Sequence, residues 1–146
     1  MNWYVNIATL GPIGYMNAPG TMASIVTLPL VYWLHTILPN QYVYLSAVIF
    51  ALIVSLWIVH KAVEQSRWHH DPSEVVIDEV IGCLLTFWGV ALTGKTVLIG
   101  FIVFRIFDIL KIGGIHYLER LPGEWGILFD DVMAGLMSNL ILRLLL

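Results

Sequence analysis

The chain of 146 residues is long enough for one domain, and only 12% of its residues are charged, about half the usual share in soluble domains. Hydrophobic residues make up 59% of the sequence and the mean hydropathy is +0.85, which excludes a soluble globular domain and indicates an integral membrane protein. The net charge of −3 comes without a basic cluster, which excludes a nucleic-acid-binding surface, and the single Cys83 excludes a disulfide framework.

Residues 1–20 carry no charged side chain, and their aromatic residues predict a segment that lies at the membrane interface: Trp3, Tyr4 and Tyr15. Glycine and proline are frequent over 11–20, which indicates an irregular loop. Thr21 or Ser24 is predicted to cap the helix that follows, and free backbone N–H groups after Gly20 would bind an anion. A re-entrant connection that binds nothing explains this loop equally well.

Five apolar segments are long enough to form transmembrane or membrane-embedded helices, at 21–38, 42–60, 71–93, 96–110 and 126–146. A tight turn is predicted at Gly94 and Lys95, and a loop over 112–125. The predicted fold is therefore all-α. It is a polytopic membrane helix bundle of about five transmembrane or membrane-embedded helices with an interfacial N-terminal segment. The whole chain, 1–146, is predicted to be one integral membrane domain.

The third segment is preceded by a polar stretch with two features. His69 and His70 could bind a metal, although adjacent histidines on a solvated loop usually do not converge on one ion. Asp71, Pro72 and Glu74 match an N-cap, a first-turn proline and a third-position acid, so a helix is predicted to begin there.

Two pairs of adjacent acids lack such an explanation, Asp78 and Glu79 in the third helix and Asp130 and Asp131 in the last. An ionised Asp at the centre of a membrane helix costs about 2.5–3.5 kcal/mol, so a cation should accompany these groups. The face of the last helix that begins at Asp131 carries small and polar residues suited to close helix packing: Ala134, Gly135, Ser138 and Asn139. The alternative is a helix that begins late, with both Asp residues in a first turn favoured by the helix dipole.

The fourth helix ends with Arg105, Asp108 and Lys111. Arg105 and Asp108 could simply form a structural ion pair across one helical turn, and this explanation is as well supported as a functional role for them.

Five spans place the N-terminus and the loops 61–74 and 111–126 on one side of the membrane. This side has more basic residues than the other: Lys61, Arg67, Lys111 and Arg120 against Lys95 and Arg143. The positive-inside rule therefore predicts that it is cytoplasmic. The two acid pairs, the Arg105–Lys111 segment and the Gly/Pro loop all fall on this side. Carboxylates suit a hard cation such as Mg²⁺, and Arg and Lys beside them suit a phosphate.

Four segments in this order resemble the phosphatidylglycerophosphatase A family of membrane lipid phosphatases: APGTMAS (18–24), DPSEVVIDEVIG (71–82), FRIFDILK (104–111) and GILFDDVMAG (126–135). The chain departs from the family pattern at Ala23, at 112–114 and at Glu124. The resemblance implies an enzyme of the bacterial inner membrane with its active site on the cytoplasmic side. It would remove the terminal phosphate of phosphatidylglycerophosphate with the help of Mg²⁺, and yield phosphatidylglycerol.

On this hypothesis the metal ligands, direct or through water, are Asp78, Glu79, Asp130 and Asp131. Asp131 is preferred to Asp130 as the direct ligand, because it begins the small-residue face. Asp108 would be a further ligand or the general base. The remaining residues would bind the phosphate: Arg105, Lys111, Gly20, Thr21 and Ser24. Attack by water and a covalent aspartyl-phosphate both remain open.

Two other interpretations stay open at this stage. One is a small cation-coupled transporter or channel-like protein, in which intramembrane acids form an ion path. The other is a phosphatase for a related lipid phosphate. The expected partners are the phospholipid substrate and membrane lipids, with no nucleic acid, and the oligomeric state is open, a homo-oligomer included.

Overall fold

The computed structural model describes residues 3–65 and 72–146, and every regular element within these ranges is a helix. A 3-10 turn, Ile13–Tyr15, separates the first two of seven α-helices. They are α1 Trp3–Ala8, α2 Pro19–Ile37, α3 Gln41–Gln65, α4 Ile77–Thr86, α5 Gly94–Leu110, α6 Ile115–Leu118 and α7 Glu124–Leu145. The predicted all-α membrane bundle is confirmed.

Helices α2 and α3, with 19 and 25 residues, are long and apolar enough to cross a membrane. Only 28% of the apolar stretch in each is buried inside the bundle, so most of their hydrophobic surface faces outward. The α2 helix begins with Pro19 in its first turn, after Ala18 in the left-handed conformation (φ 53°). A cap by Thr21 or Ser24 is therefore wrong, and Ser24 Oγ instead donates to the carbonyl of Gly20, 2.8 Å away inside the helix.

Helix α4 is much shorter than the third predicted span. The prediction that it begins at 71–72 and continues to 93 is wrong at both ends, since it runs from Ile77 to Thr86. Before it, the N–H of Val75 donates to the carbonyl of Pro72, and the N–H of Val76 donates to the carbonyl of Ala8, both at 3.0 Å. This second bond ties the segment to the end of α1 and delays the helix. Asp71 and the adjacent histidines His69 and His70, for which metal binding was considered, lie outside the described residues.

Other helix boundaries shift for local reasons. The predicted tight turn at Gly94 and Lys95 is wrong, because α5 begins at Gly94, where Thr93 Oγ1 accepts the N–H of Thr96 at 3.1 Å. Helix α3 extends five residues beyond its predicted end at 60, and the predicted loop over 112–125 contains the short helix α6.

Helix α4 lies at the centre of the bundle and packs against α2, α3, α5 and α7. One end of the bundle brings together the starts of α2, α4 and α7 with the ends of α3 and α5. At the other end, Trp88 Nε1 donates to the carbonyl of Gln41 and Asn139 Nδ2 donates to the carbonyl of Thr86, at 2.9 and 3.0 Å. We call these the site end and the far end. All the unexplained acids and bases lie at the site end.

Candidate active site

A cavity of about 280 Å³ opens at the site end. Among the described residues, seven charged side chains line it: Asp78, Glu79, Arg105, Asp108, Lys111, Asp130 and Asp131. The neutral lining comes from the start of α2 and the turn before α4: Ala18, Pro19, Gly20, Pro72, Ser73 and Val75. Five carboxylates thus face two cations, so the lining has an excess of negative charge when all of these groups are ionised.

Three carboxylates form a compact cluster within this cavity. Asp78, Glu79 and Asp131 each offer an oxygen, and these three atoms lie within 4.8 Å of one another. Asp78 and Asp131 are almost fully buried, with 7% and 2% of their surface exposed. Oε2 of Glu79 is buried and has no hydrogen-bond partner among the described residues. An unpartnered carboxylate oxygen in such a place is suited to bind a cation, because an isolated buried charge is very unfavourable.

The local backbone explains how these acids are positioned. Asp78 and Glu79 occupy the first turn of α4, where the helix dipole favours negative charge. Oδ1 of Asp78 accepts the N–H of Glu79 at 3.1 Å, and Oδ1 of Asp130 accepts the N–H of Asp131 at 2.9 Å. In each pair the first acid therefore uses one oxygen on the backbone of the second and keeps the other for the cavity.

The two bases are held by the other two acids. Arg105 Nη1 donates to Oδ2 of Asp108 at 2.5 Å, so the predicted one-turn ion pair is present, and it also lines the cavity. Lys111 Nζ bonds to Asp130 Oδ2 and lies 3.6 Å from Oδ1 of Asp108. Nε of Arg105 is buried without a partner in the described part of the chain.

Lys111 follows the last residue of α5 and adopts the left-handed conformation, with φ 49°. Its partial burial would lower the pKa, but the hydrogen bond to Asp130 and the nearby carboxylates outweigh burial and raise the pKa above its ordinary value. The ammonium group therefore stays charged at physiological pH and is available to an anionic ligand.

Of the three residues of α2 that were predicted to bind the phosphate, only Gly20 lines the cavity. Gly20 lies in the cavity lining, and a Cβ there would collide with Oε1 of Glu79 and lie 3.2 Å from Nη1 of Arg105. Thr21 and Ser24 are not part of the lining, and the hydroxyl of Ser24 is used within the helix. The backbone N–H groups of Gly20 and Thr21 are in the first turn of α2, where they have no partner within the helix.

The adjacent acids of α7 have different partners. Asp131 belongs to the three-carboxylate cluster, whereas Asp130 bonds to Lys111. This separation follows from helical geometry, since neighbouring residues point about 100° apart. Sequence reasoning did not include Ala18, Pro19 and Ser73 in the site. A proline before the helix start was visible, but nothing in the sequence indicated that the turn at Ser73 reaches this cavity.

The donor set suits a divalent cation. The three clustered ligand atoms are all carboxylate oxygens, which Mg²⁺ prefers, and the unpartnered oxygen of Glu79 is consistent with such an ion. The residues present therefore fit the metal that the resemblance implies.

Comparison with known proteins identifies the family. The sequence model described as Phosphatidylglycerophosphatase A matches residues 6–146. The chain belongs to the phosphatidylglycerophosphatase A family. The member of this family from Escherichia coli K12 is 34% identical over 122 residues, which is 82% of this chain and 69% of that protein. A second, from Haemophilus influenzae, is 35% identical over 74 residues, 49% of this chain and 45% of that one.

A relative from Bacteroides thetaiotaomicron has another name. It is 33% identical over 132 residues, 86% of this chain and 81% of its own, and is provisionally named a phosphatidylinositol-3-phosphatase. No solved structure matches the chain. Both names describe phosphatases of phospholipid headgroups. The match to the family model confirms the resemblance seen in the four sequence motifs.

Proposed function

We propose that this member of the phosphatidylglycerophosphatase A family hydrolyses the terminal phosphomonoester of phosphatidylglycerophosphate, releasing phosphatidylglycerol and inorganic phosphate. The observation that carries the proposal is the convergence of the Asp78–Glu79–Asp131 cluster with Arg105 and Lys111 in one cavity at an end of a membrane bundle. Family membership and the names of the relatives from E. coli and H. influenzae support the substrate. A transporter is not favoured, because the described carboxylates cluster at one end of the bundle.

The proposed metal ligands are Asp78, Glu79 and Asp131, with Asp130 outside this set because it bonds to Lys111. When bound there, Mg²⁺ would withdraw charge from the phosphoryl oxygens and make the phosphorus more open to attack. The cluster cannot easily hold three ionised carboxylates without such a cation.

Arg105 and Lys111, which line the same cavity, are proposed to bind the phosphate. A guanidinium can donate two parallel hydrogen bonds to phosphate oxygens, and the ammonium of Lys111 adds a point charge. Asp108 and Asp130 position these two bases in the absence of substrate. The backbone N–H groups of Gly20 and Thr21 would complete the phosphate contacts at the start of α2.

Asp108 is the proposed general base, because it is a carboxylate of the cavity lining that lies outside the proposed set of metal ligands. It would accept a proton from the attacking water as the new P–O bond forms. The bond to the glycerol oxygen breaks on the opposite side, and the proton is finally delivered to that oxygen. The products are one alcohol and one inorganic phosphate, so atoms and charge balance.

The cavity is proposed to face the cytoplasm of a bacterial inner membrane. The support is the positive-inside rule, which favours the side of Lys61, Lys111 and Arg120 over that of Lys95 and Arg143. The headgroup of a phospholipid in that leaflet would lie at the depth of the cavity.

Phosphate release from pure protein tests the proposal. We expect release from phosphatidylglycerophosphate with Mg²⁺ and none after chelation, and loss of release in Asp78→Asn and Asp131→Asn. Glu119→Gln is the matched control, because Glu119 is an exposed acid outside the cavity lining. Full activity in both Asn variants would exclude the assigned site. Faster hydrolysis of phosphatidylinositol 3-phosphate than of phosphatidylglycerophosphate would identify phosphatidylinositol 3-phosphate as the substrate instead.

A further inference from the structure

A lipid-facing groove lies between α2 and α5. Both helices pack against α4, yet they make few contacts with each other. Away from the site end this groove contains a cavity of about 400 Å³, and most of its lining is apolar: Leu28, Tyr32, Val97, Leu98 and Phe101. Tyr32 and Leu98 are 62% and 61% exposed, so the groove opens sideways towards the surrounding lipid.

Helix α5 contributes side chains both to this apolar cavity and to the candidate active site. Leu98, Phe101 and Arg105 are spaced three and four residues apart and therefore lie on one face of the helix. Leu98 and Phe101 line the apolar cavity, while Arg105 lines the polar one. One helical stripe thus leads from the apolar groove to a proposed phosphate ligand.

Helix α2 forms the other wall in the same way. Gly20 and Arg105 face each other at the site end, since a Cβ on Gly20 would lie 3.2 Å from Nη1 of Arg105. Eight residues further on, Leu28 lines the apolar cavity. Thr21 is seven residues before Leu28 and shares its face, so it lies at the head of the groove.

The N-terminal segment covers part of the bundle at the site end. The 3-10 turn Ile13–Tyr15 packs against α2, and α1 packs against α3. The carbonyl of Glu74 lies so close to Gly14 that a Cβ there could not be accommodated. These contacts tie the N-terminal segment to α2, to α3 and to the turn before α4.

The length of the groove matches one leaflet. From Arg105 back to Gly94, where the apolar cavity ends, eleven residues at 1.5 Å each give about 16 Å. Half of a hydrocarbon core of about 30 Å is about 15 Å. A chain of one leaflet, anchored by its headgroup at Arg105, would therefore occupy the groove over its whole length.

We propose that the α2–α5 groove binds an acyl chain of the lipid phosphate substrate, and so positions the phosphate at the Asp78–Glu79–Asp131 cluster. This inference rests on the proposed function. The groove makes the enzyme selective for lipid-linked phosphates over soluble phosphomonoesters, because each buried methylene strengthens binding about fourfold and a soluble ester lacks these groups.

A pair of tryptophan variants tests the groove. Leu28→Trp fills the cavity between α2 and α5, whereas Leu30→Trp makes the same change about 200° around the helix, where Leu30 is 37% exposed. Phosphate release is measured on phosphatidylglycerophosphate with palmitoyl chains and on the same headgroup with hexanoyl chains. Purified proteins are compared with Mg²⁺ present, after circular dichroism has verified that both variants fold.

The expected result is a loss of kcat/KM in L28W on the palmitoyl substrate of at least about tenfold, the equivalent of about two methylenes. The hexanoyl substrate should be hydrolysed as by the unmodified protein, and L30W should change neither rate. Equal losses on both chain lengths, or the same chain-length-dependent loss in L30W, would overturn the groove while leaving the proposed function standing.

A second experiment detects lipid binding in the groove without measuring turnover. A trace of lipid phosphate with a photoreactive diazirine in one acyl chain is incorporated into phosphatidylcholine vesicles with the protein and irradiated. Labelling concentrated on α2 and α5 and displaced by unlabelled lipid phosphate supports the groove. Labelling spread evenly over the lipid-facing helices shows bulk lipid only and overturns it. Failure of the unmodified protein to hydrolyse either substrate would count against the proposed function alone.

Discussion

Gly82 and Gly135 touch backbone to backbone where α4 crosses α7. A Cβ on Gly135 would collide with the carbonyl oxygen of Gly82, and a Cβ on Gly82 would lie 2.6 Å from the carbonyl oxygen of Asp131. Asp78 is four residues before Gly82, and Asp131 is four residues before Gly135, so each acid lies one helical turn from the crossing. The contact between the two glycines therefore sets the separation of the two buried carboxylates.

Widening this crossing should disable the site. We expect Gly135→Ala and Gly82→Ala each to destabilise the protein by about 1–3 kcal/mol, because the added methyl group overpacks the contact, and to lower affinity for Mg²⁺. Gly94→Ala is the matched control, since no atom lies within 4 Å of a Cβ at Gly94. Thermal unfolding in detergent and Mg²⁺ titration of phosphate release provide the measurements. A control variant as damaged as the other two would contradict this account.

Gly20 is predicted to be required for geometry at the active site itself. In Gly20→Ala the methyl group would collide with the carboxylate of Glu79 and crowd Arg105, and we expect phosphate release to fall by about two orders of magnitude. The fold should persist, because both neighbours are side chains that can move. A measured KM and kcat will show whether phosphate binding or the chemical step suffers. Normal kinetics in this variant would mean that the cavity rearranges before turnover.

The left-handed conformation of Lys111 leads to a prediction about protein stability that is separate from activity. A left-handed non-glycine residue costs about 1–2 kcal/mol, so Lys111→Gly should be more stable than Lys111→Ala by about 1 kcal/mol. Both variants lose the ammonium group and should have a strongly raised KM for the lipid phosphate. Chemical denaturation and steady-state kinetics on the two proteins test this. Equal stabilities would show that the backbone at this position relaxes.

Replacement of each of the two adjacent acids of α7 should impair the enzyme in a different way. Asp131→Asn removes a proposed metal ligand and should raise the Mg²⁺ concentration needed for half-maximal activity. Asp130→Asn removes the partner of Lys111 and should act mainly on the KM for substrate. Titrations of Mg²⁺ and of substrate on both variants separate the effects, and identical profiles would argue for a single shared role.

The sequence was sufficient to predict that these residues converge, because acids in membrane helices need partners and the small face from Ala134 to Ser138 indicated a close helix contact. It did not predict the start of α4. Pro72 and Glu74 have the local signature of a helix start, but a backbone bond between Val76 and Ala8 delays the helix to Ile77. Such a bond joins parts of the chain almost seventy residues apart and leaves no local pattern.

The different contacts of Asp130 and Asp131 were predicted in part. Helical geometry indicated that the two side chains diverge, and the small-residue face favoured Asp131. The role of Asp130 depends on Lys111, whose left-handed backbone directs the ammonium group back across α7. That conformation is not encoded in a local motif, since glycine is the residue usually found there.

The one-sided placement of the acids has a consequence for how the chain enters a membrane. No Asp or Glu occurs before residue 64, between 80 and 107, or after 131, and the acids that line the cavity all lie at the site end. The described helical segments that extend from there to the far end therefore carry no carboxylate, and the charged side chains near the far end are Lys95 and Arg143. In a membrane, this arrangement would let every acid of the cavity stay at one boundary while the helices assemble around it.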